Sequence, residues 1–425
     1  MSSRGGRGAE RDLWQVLADL RTPDEVAGSL VPRSLGRFRR LDSEGEQPVS
    51  GPQPTDNLLI KGDNLPVLHT LASSCRDQVK LIYIDPPYNT GTNGLGYRDR
   101  LDHAAWLAFM QDRLEAARLL LRHDGLIFMH IGDQEMHYLK VLADGIFGRE
   151  HFLGTIPRKT RYGKSDVPRN LSQDFDWLLV YTRGAARDEA LFKRTIDRRY
   201  YTSDDFPGDP WRLADLTTQR TVVERPNSDF ILVNPRNGEA FPVNPNRSWA
   251  VTRDSVGGFM ARHKIVFPGD YDFLRIKKPV MRVFRSEEVA RKGEDFDKTF
   301  VSTDFLNQAM DDLMNRTYNR RGTDEIIELF GEKAFAYPKN ELLLQRIIEY
   351  TTVAGDLVLD FFLGSGTTAA VAHKMGRQYI GVEQTDCLDT TAVPRLAKVI
   401  AGEQGGISRG VGWQGGGSVV VCELT

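Results

Sequence analysis

Two stretches of the chain, residues 57–185 and 335–425, alternate short apolar segments with segments of helical periodicity, and this rhythm limits the possible folds most. Residues 79–84, Val-Lys-Leu-Ile-Tyr-Ile, form one apolar run, and residues 126–131 form the next. Between these runs, apolar residues recur at helical spacing: Leu107, Met110, Leu114, Ala117 and Leu121. Short strands alternating with helices are typical of a parallel sheet covered by helices on both faces. We therefore expect an α/β fold with a Rossmann-like, doubly wound sheet.

The rest of the chain does not follow this rhythm. Residues 186–334 contain prolines scattered among aromatic and charged residues, which predicts an inserted region with its own fold. In residues 1–56, apolar residues at helical spacing precede a stretch rich in glycine, proline and serine, which predicts a helical arm followed by a linker. The expected division is an N-terminal arm at 1–56, two halves of one α/β domain at 57–185 and 335–425, and the insertion at 186–334 between them.

Composition narrows the class of protein. Hydrophobic residues make up 40% of the chain, enough to build a core without covalent staples. The three cysteines lie far apart and form no CxxC pair, which argues against a disulfide framework or a metal site and favours a cytoplasmic location. No apolar run approaches the roughly 18 residues that a membrane-spanning helix needs, so we expect no membrane association. The net charge of −2 does not by itself indicate a nucleic-acid partner.

Residues 81–89, Leu-Ile-Tyr-Ile-Asp-Pro-Pro-Tyr-Asn, place a carboxylate and an aromatic ring directly after an apolar strand. Open α/β sheets bind ligands at the carboxyl ends of their strands. Pro86 and Pro87 stiffen the turn because each fixes φ and lacks an N–H. We expect the Asp85 carboxylate and the Pro86 carbonyl to accept the two hydrogens of a planar amine, while Tyr88 stacks on its ring. The alternative is a rigid acidic turn without a catalytic role.

Residues 358–368, Val-Leu-Asp-Phe-Phe-Leu-Gly-Ser-Gly-Thr-Thr, join another apolar strand to a helix through a loop with two glycines. Gly364 and Gly366 allow the backbone to approach a ligand closely. The next strand ends at Glu383, where Rossmann folds often place an acid that binds a ribose. No Gly-Lys-Ser/Thr follows, which excludes a P-loop, and the nicotinamide fingerprint lacks its third glycine. The pattern predicts a site for a cofactor of the nucleotide type.

The two motifs together resemble the S-adenosylmethionine-dependent amino-methyltransferases, which combine an (Asp/Ser/Asn)-Pro-Pro-(Tyr/Phe/Trp) catalytic loop with an FxGxG cofactor loop. The catalytic loop comes first here, which is the circularly permuted β-class order. Segments at 57–65, 336–343 and 405–424 are similar to the modification subunits of type III restriction systems. The resemblance covers about residues 57–185 and 335–425. It implies a site-specific DNA methyltransferase that modifies N6 of adenine.

The resemblance also assigns cofactor contacts by motif position. It places Asp63 at the adenine end of S-adenosylmethionine and Glu383 at the ribose, with Lys339 and Asn340 closing over the cofactor. The loop that would hold the methionine part contains Asp360, Phe362, Gly364, Ser365, Gly366 and Thr367. Two of these assignments have simpler alternatives, because Asp63 also suits a helix N-cap and Lys339 a solvated surface position.

A double-stranded DNA substrate requires further contacts. A base inside a duplex cannot reach such a socket, so the target must be flipped out. Basic residues cluster between 157 and 200, and we expect four of them to contact phosphates: Arg158, Lys159, Arg161 and Lys164. In the insertion, Arg247 has the chemistry to read a base edge. An ordinary solvated surface is the alternative for all five.

Several rival functions remain open at this stage. An N4-cytosine methyltransferase needs the same socket, and an RNA or protein amine is a weaker alternative. A non-catalytic DNA-binding subunit would be expected to lose the Asp-Pro-Pro-Tyr loop, which is intact at 85–88. A nucleotide-dependent oxidoreductase does not explain that loop. Whether the chain works alone, as a homodimer, or with a restriction or other defence subunit also stays open.

Overall fold

The computed structural model describes residues 13–91, 101–161, 174–184, 200–292 and 316–425. Lys164, one of the expected phosphate contacts, lies outside these residues. The chain divides into two compact units, Met1–Lys193 with Val301–Thr425, and Arg194–Phe300. In the described ranges no helix is long and apolar enough to cross a bilayer.

The first unit starts with two short helices and two strands, and from residue 57 onward strands and helices alternate. Before residue 185 its described strands are β1 (Leu35–Asp42), β2 (Gly45–Pro48), β3 (Leu58–Lys61), β4 (Val79–Ile84), β5 (Leu121–Ile131), β6 (Phe152–Lys159) and β7 (Phe175–Thr182). The helices there are α1 (Leu13–Ala18), α2 (Pro23–Gly28), α3 (Asn64–Ser74), α4 (His103–Leu120) and α5 (Asp133–Phe147).

The second unit is built from short strands, as expected for a segment with many prolines. Its described elements are β8 (Trp211–Ala214), β9 (Thr217–Thr218), β10 (Leu232–Val233), β11 (Ala240–Phe241), β12 (Ser248–Trp249), α6 (Val256–Ala261), β13 (Ile265–Val266), β14 (Val280–Phe284) and α7 (Arg285–Lys292). Strands β13, β14 and β8 form one sheet, and β12–β9 and β10–β11 form two pairs. Buried Trp211 and Trp249 lie in its two apolar clusters.

After the second unit the chain completes the first one. The elements described there are α8 (Asn319–Phe330), α9 (Glu341–Thr351), β15 (Leu357–Asp360), α10 (Thr367–Lys374), β16 (Gln378–Glu383), α11 (Val393–Ile400), α12 (Ser408–Val411) and β17 (Val419–Leu424).

A ten-stranded sheet organises the first unit, in the order β2-β1-β17-β3-β16-β15-β4-β5-β7-β6. The six central strands, from β17 to β5, are parallel. One apolar cluster includes α3, α4 and α5, and a second includes α9, α10 and α11. The expected α/β class with a doubly wound parallel sheet is therefore confirmed. Because β15 pairs directly with β4, the two motif strands are neighbours although more than 270 residues separate them.

The N-terminal segment differs from the predicted helical arm and linker. Its helices are short, and residues 35–48 form two strands that extend the sheet, with β1 antiparallel to β17 and β2 antiparallel to β1. The glycine-containing stretch forms the hairpin turn, where Gly45 has φ +115°. The sequence did not indicate β1, because its arginines interrupt the apolar alternation of a buried strand; in the structure one of them, Arg40, pairs with Asp56 at 2.8 Å.

The predicted insertion, 186–334, also has a different C-terminal limit. Helix α8 belongs to the first unit, where Ile326 is buried and the Glu325 carboxylate accepts a hydrogen bond from the backbone N–H of Glu341 at 2.8 Å. The compact second unit therefore ends well before residue 334.

Candidate functional site

Strand β4 delivers Asp85 to the carboxyl edge of the sheet. All six residues of β4 are buried, and its neighbours β5 and β15 fix its direction. Asp85 Oδ2 accepts a hydrogen bond from Lys339 Nζ at 2.5 Å. Asp85 Oδ1 is buried and has no hydrogen-bond partner among the described residues. A buried carboxylate oxygen without a donor is costly, so this oxygen is available to accept a hydrogen bond from a ligand.

The turn after Asp85 is held by side chains from two helices. The Trp106 indole N–H donates to the Pro87 carbonyl at 2.9 Å. Asn89 adopts φ +57°, a region that asparagine tolerates better than most residues. Its amide donates to Glu135 at 2.7 Å and its oxygen accepts from the Leu101 N–H at 2.8 Å. Sequence reasoning missed Trp106 and Glu135, because nothing in their own segments marks them as supports of this turn.

The Tyr88 ring is held on several sides. Its hydroxyl donates to Asp176 Oδ2 at 3.3 Å, and Lys339 Nζ lies 5.3 Å from the ring centroid. Gly132 leaves room for the ring, because a Cβ at that position would lie 2.9 Å from Tyr88 Cδ2. The ring is therefore placed beside Asp85 by contacts that are independent of the proline turn.

A buried polar cluster lies behind this ring. The Tyr83 hydroxyl is 2.8 Å from His130 Nδ1, and His130 Nε2 is 3.3 Å from Asp176 Oδ2 without the alignment of a hydrogen bond. Burial lowers the pKa of His130 to about 4, so the ring is neutral at pH 7. Burial acts to raise the pKa of Asp176, but interactions with His130, Lys339 and Arg158 lower it to about 2. Asp176 is therefore a carboxylate held among donors.

The glycine loop follows β15 as predicted, and its two glycines have positive φ, +54° at Gly364 and +78° at Gly366. The Ser365 and Thr367 side chains are buried and lie 3.2 Å apart, hydroxyl to hydroxyl. Thr367 also donates to the Lys339 carbonyl at 3.0 Å. These two hydroxyls therefore hold the loop in shape, and the backbone is the part of residues 364–367 that can face a ligand.

Asp360 is a buried acid at the start of this loop. Its carboxylate accepts from the Thr368 hydroxyl at 2.6 Å and from the Phe362 N–H at 3.0 Å. Burial raises the pKa of Asp360 to about 7, although these hydrogen bonds lower it, and the charges of Asp85 and Glu383 raise it further. The Phe362 ring packs 6.1 Å from that of Phe109, which places it at the surface of the apolar core.

Glu383 and Asp63 lie at the ends of neighbouring elements, as the motif order predicts. Glu383 ends β16 and accepts from the backbone N–H of Gly364 at 2.9 Å, so it also fixes the glycine loop. Asp63 caps α3 by accepting from the Leu65 N–H at 2.9 Å, and it pairs with Arg113 at 3.0 Å. The Asp63 side chain keeps 53% of its surface exposed, so capping leaves it accessible to a ligand.

Lys339 and Asn340 were expected to close over the cofactor, and the structure gives them other contacts. The Lys339 side chain is 13% exposed and reaches Asp85, so the alternative of a solvated surface lysine is wrong. Asn340 is fully buried and caps α9, with its side-chain oxygen accepting from the Leu343 N–H at 2.9 Å. An asparagine directly before a helix satisfies an N–H that lacks an intrahelical partner, which is why Asn340 is used in this way.

The expected phosphate contacts fall into different environments. Arg158 is completely buried, and it binds the Thr317 carbonyl and Asn319 Oδ1 as well as Asp176 Oδ2 at 3.1 Å. Its assignment as a phosphate contact is therefore corrected: an alternating strand, β6, turns this arginine inward. By contrast Lys159 is half-buried, and Arg161 is exposed.

Arg247, in the second unit, forms an ion pair with Asp215 at 2.6 Å and donates to the Thr217 hydroxyl at 2.7 Å. Its side chain is 28% exposed. A role in reading bases would use a guanidinium that is already held in place by these two contacts.

The first unit thus brings together a parallel sheet, a glycine loop at the carboxyl end of one strand, and a carboxylate with one buried oxygen that lacks a hydrogen-bond partner among the described residues. A parallel sheet with a glycine loop in this position is typical of folds that bind nucleotide-type cofactors. Residues 79–388 match the DNA methylase family of N6 and N4 amino-methyltransferases. This match covers more than half of the chain, and the chain belongs to that family.

Curated relatives agree with this assignment. The chain is 36% identical to the probable type III restriction-modification enzyme HindVI Mod subunit of Haemophilus influenzae, over 94% of this chain and 59% of that protein. It is 30% identical to the type II methyltransferase M.KpnI of Klebsiella pneumoniae, over 75% of this chain and 76% of that protein. A separate comparison with solved structures gives, among others, the PvuII DNA methyltransferase (cytosine-N4-specific), at 14% identity and a TM-score of 0.39 over 81% of this chain and 89% of that one; the family assignment does not depend on it.

The chain spans about half to three fifths of the length of the type III Mod subunits that it matches. The similarity to those relatives therefore concerns the segment that they share with this chain.

Proposed function

We propose that this chain transfers a methyl group from S-adenosylmethionine to N6 of a flipped-out adenine in double-stranded DNA. The observation that carries the proposal is the unpaired, buried Asp85 Oδ1 at the carboxyl edge of the sheet, beside Tyr88. An acceptor at this position matches an exocyclic N–H, and an adjacent aromatic ring matches a planar base.

The residues around the glycine loop fit the cofactor. Asp360 and Glu383 lie at the same edge as Asp85, close enough for the two other carboxylates to raise the pKa of Asp360. A cluster of acids favours a cationic ligand, and S-adenosylmethionine carries a sulfonium and an ammonium group. We propose that the loop 360–367 holds its methionine part, with Glu383 at the ribose and Asp63 at the adenine.

The cofactor supplies a methyl group that the positive sulfonium has already activated. The chain's own task is to present the amine. Asp85 Oδ1 accepts one N6–H, while Lys339 fixes Oδ2 and keeps the carboxylate from turning. A hydrogen bond to a charged acceptor contributes about 1.5–3 kcal/mol, which corresponds to about a tenfold to hundredfold rate effect if it strengthens in the transition state. Stacking on Tyr88 and alignment of the two reactants contribute the rest.

The proposed substrate and partners are inferred from the similarity of this chain to named relatives. The Mod subunits are named as parts of type III restriction-modification enzymes, and the matching family is described as DNA methylases. We therefore propose double-stranded DNA as substrate and a restriction or other defence subunit as partner. A homodimer and a cytoplasmic location also stay proposals. Light scattering would test the homodimer. The three free cysteine thiols are compatible with the reducing cytoplasm.

The test is methyl transfer from labelled S-adenosylmethionine to mixed-sequence duplex DNA, with the modified nucleoside identified by mass. Wild type is expected to produce N6-methyladenine, and Asp85→Ala is expected to abolish it. Asp112→Ala, which removes a surface carboxylate of α4 that is 48% exposed, is the matched control. N4-methylcytosine would overturn the proposed base. A wild type that binds the cofactor but modifies no DNA would overturn the proposed substrate.

A further inference from the structure

The Tyr88 hydroxyl belongs to a buried polar cluster that base stacking alone does not require. A phenylalanine would stack on a base equally well, yet this ring carries a hydroxyl that donates to Asp176 Oδ2 at 3.3 Å. Burial, together with the charges of Asp176 and Asp85, raises the pKa of Tyr88 well above its ordinary value. The hydroxyl therefore stays protonated and acts as the donor.

Asp176 is held rigidly at its own position. It lies on β7, and its Oδ2 also accepts from Arg158 Nη1 at 3.1 Å. Arg158 on β6 is completely buried and is fixed in turn by the Thr317 carbonyl and by Asn319 Oδ1. A carboxylate fixed from two adjacent strands offers Tyr88 an anchor that moves little.

We propose that Asp176 is a positioning residue for the methyl-transfer reaction. By accepting the hydrogen bond of the Tyr88 hydroxyl, Asp176 sets the tilt of the Tyr88 ring. Arg158 supports Asp176 in this role. The inference rests on the proposed function, in which the ring stacks on the target base. It gives Arg158 on β6 and Asp176 on β7 a part in the geometry of catalysis, although neither lies in the Asp-Pro-Pro-Tyr loop or in the glycine loop. Asp176 acts through Tyr88 and needs no contact with the substrate.

A double-mutant cycle separates this role from simple structural support. We expect Tyr88→Phe to lower kcat for DNA methylation by about threefold to tenfold, the fold-change that corresponds to one buried hydrogen bond. In an Asp176→Ala background the same substitution should have no further effect, because the bond has already been lost. The affinity for S-adenosylmethionine should change little in Tyr88→Phe. An equal loss in both backgrounds would overturn the proposal.

Asp176→Ala leaves Arg158 as a buried, unpaired charge, so this background is at risk of failing to fold. A second background, Arg158→Met with Asp176→Val, removes both charges and stays close to the original combined volume, a kind of replacement that is often tolerated. The cycle is also measured as thermal unfolding of the protein without DNA or cofactor. Tyr88→Phe should lower the Tm in the wild-type background and leave it unchanged in the second background.

The same sheet supplies a matched control. The Tyr181 hydroxyl donates to Asp144 at 2.8 Å, which is another tyrosine–aspartate bond of the first unit. Tyr181→Phe should lower the Tm but leave kcat and KM unchanged, whereas equal kinetic losses at both tyrosines would overturn a positioning role. If wild type methylates no DNA, the proposed function fails, and the Tm cycle still decides whether Tyr88 and Asp176 are coupled.

Discussion

Replacing Gly132 by alanine would push one methyl group against the Tyr88 ring. Gly132 lies between β5 and α5 with φ −82° and ψ 172°, a conformation that alanine adopts without strain. The effect of the substitution is therefore steric. A Cβ at this position would lie 2.9 Å from Tyr88 Cδ2 and 3.1 Å from Gln134 Oε1.

The displacement can be worked out from these distances. Carbon atoms pack at about 3.5 Å or more, so the ring must recede by about 0.6 Å from its present position. A misplacement of about 1 Å in an active site can cost about a hundredfold in rate, so we expect kcat to fall by about tenfold. Overpacking should also lower the free energy of unfolding by about 1–3 kcal/mol.

The assay is methyl transfer under saturating cofactor, with kcat and KM for DNA measured separately and unfolding followed by calorimetry. Gly154→Ala on β6 is the matched control, because no atom lies within 4 Å of the added Cβ. We expect this control to keep wild-type kinetics. If Gly132→Ala kept the wild-type kcat, the reasoning that Tyr88 must stay in its present position would be refuted.

Four further substitutions test other parts of the first unit. Burial raises the pKa of Asp360 from 3.8 to about 7, so the wild type loses stability as the pH rises between these values. In thermal melts Asp360→Asn should therefore have a higher Tm than wild type at pH 8, and the two Tm values should become equal near pH 4. Lys339→Met removes the cation on Asp85 Oδ2 and should lower kcat by about tenfold to hundredfold in steady-state assays, while an unchanged kcat would show that Asp85 needs no partner. Arg161→Ala should reduce the slope of log K for DNA binding against log salt concentration by about one unit, because Arg161 is exposed. Arg158→Ala should instead lower the free energy of unfolding by about 3–5 kcal/mol, because Arg158 is buried. The reverse pattern would restore Arg158 as a phosphate contact.

The elements that carry the motifs were predictable because their patterns are local. Strand β4 is a continuous apolar run, and Asp85 follows it directly, so its place at the sheet edge follows from the α/β pattern alone. The same holds for β15 and the glycine loop. Strands β1 and β2 were missed, because the three arginines of β1 and the polar residues of β2 break the apolar alternation that marks a buried strand.

The polar contacts behind the site were not predictable from the sequence. Arg158 was predicted to lie at the surface because the residues next to it in the sequence are also basic. Its hydrogen bonds in fact go to Asp176 and to Thr317, which is 159 residues away. His130 ends up beside Tyr83 only because β4 and β5 pair in parallel. Such contacts depend on strand register and order, and a single sequence contains no periodic signal for either.

Lys339 shows how the two motifs act on one another. Its backbone carbonyl accepts from Thr367 of the glycine loop, while its side chain binds Asp85, 254 residues away in the sequence. The next residue, Asn340, caps the N-terminus of α9 and so fixes the direction in which the chain enters the helix from Lys339. A shift of the glycine loop would therefore move the carbonyl of the residue whose cation binds Asp85. Because both contacts run through Lys339, we expect a change in the glycine loop to alter the orientation of Asp85. Substitutions in the loop and at Asp85 are consequently expected to combine non-additively rather than as independent losses.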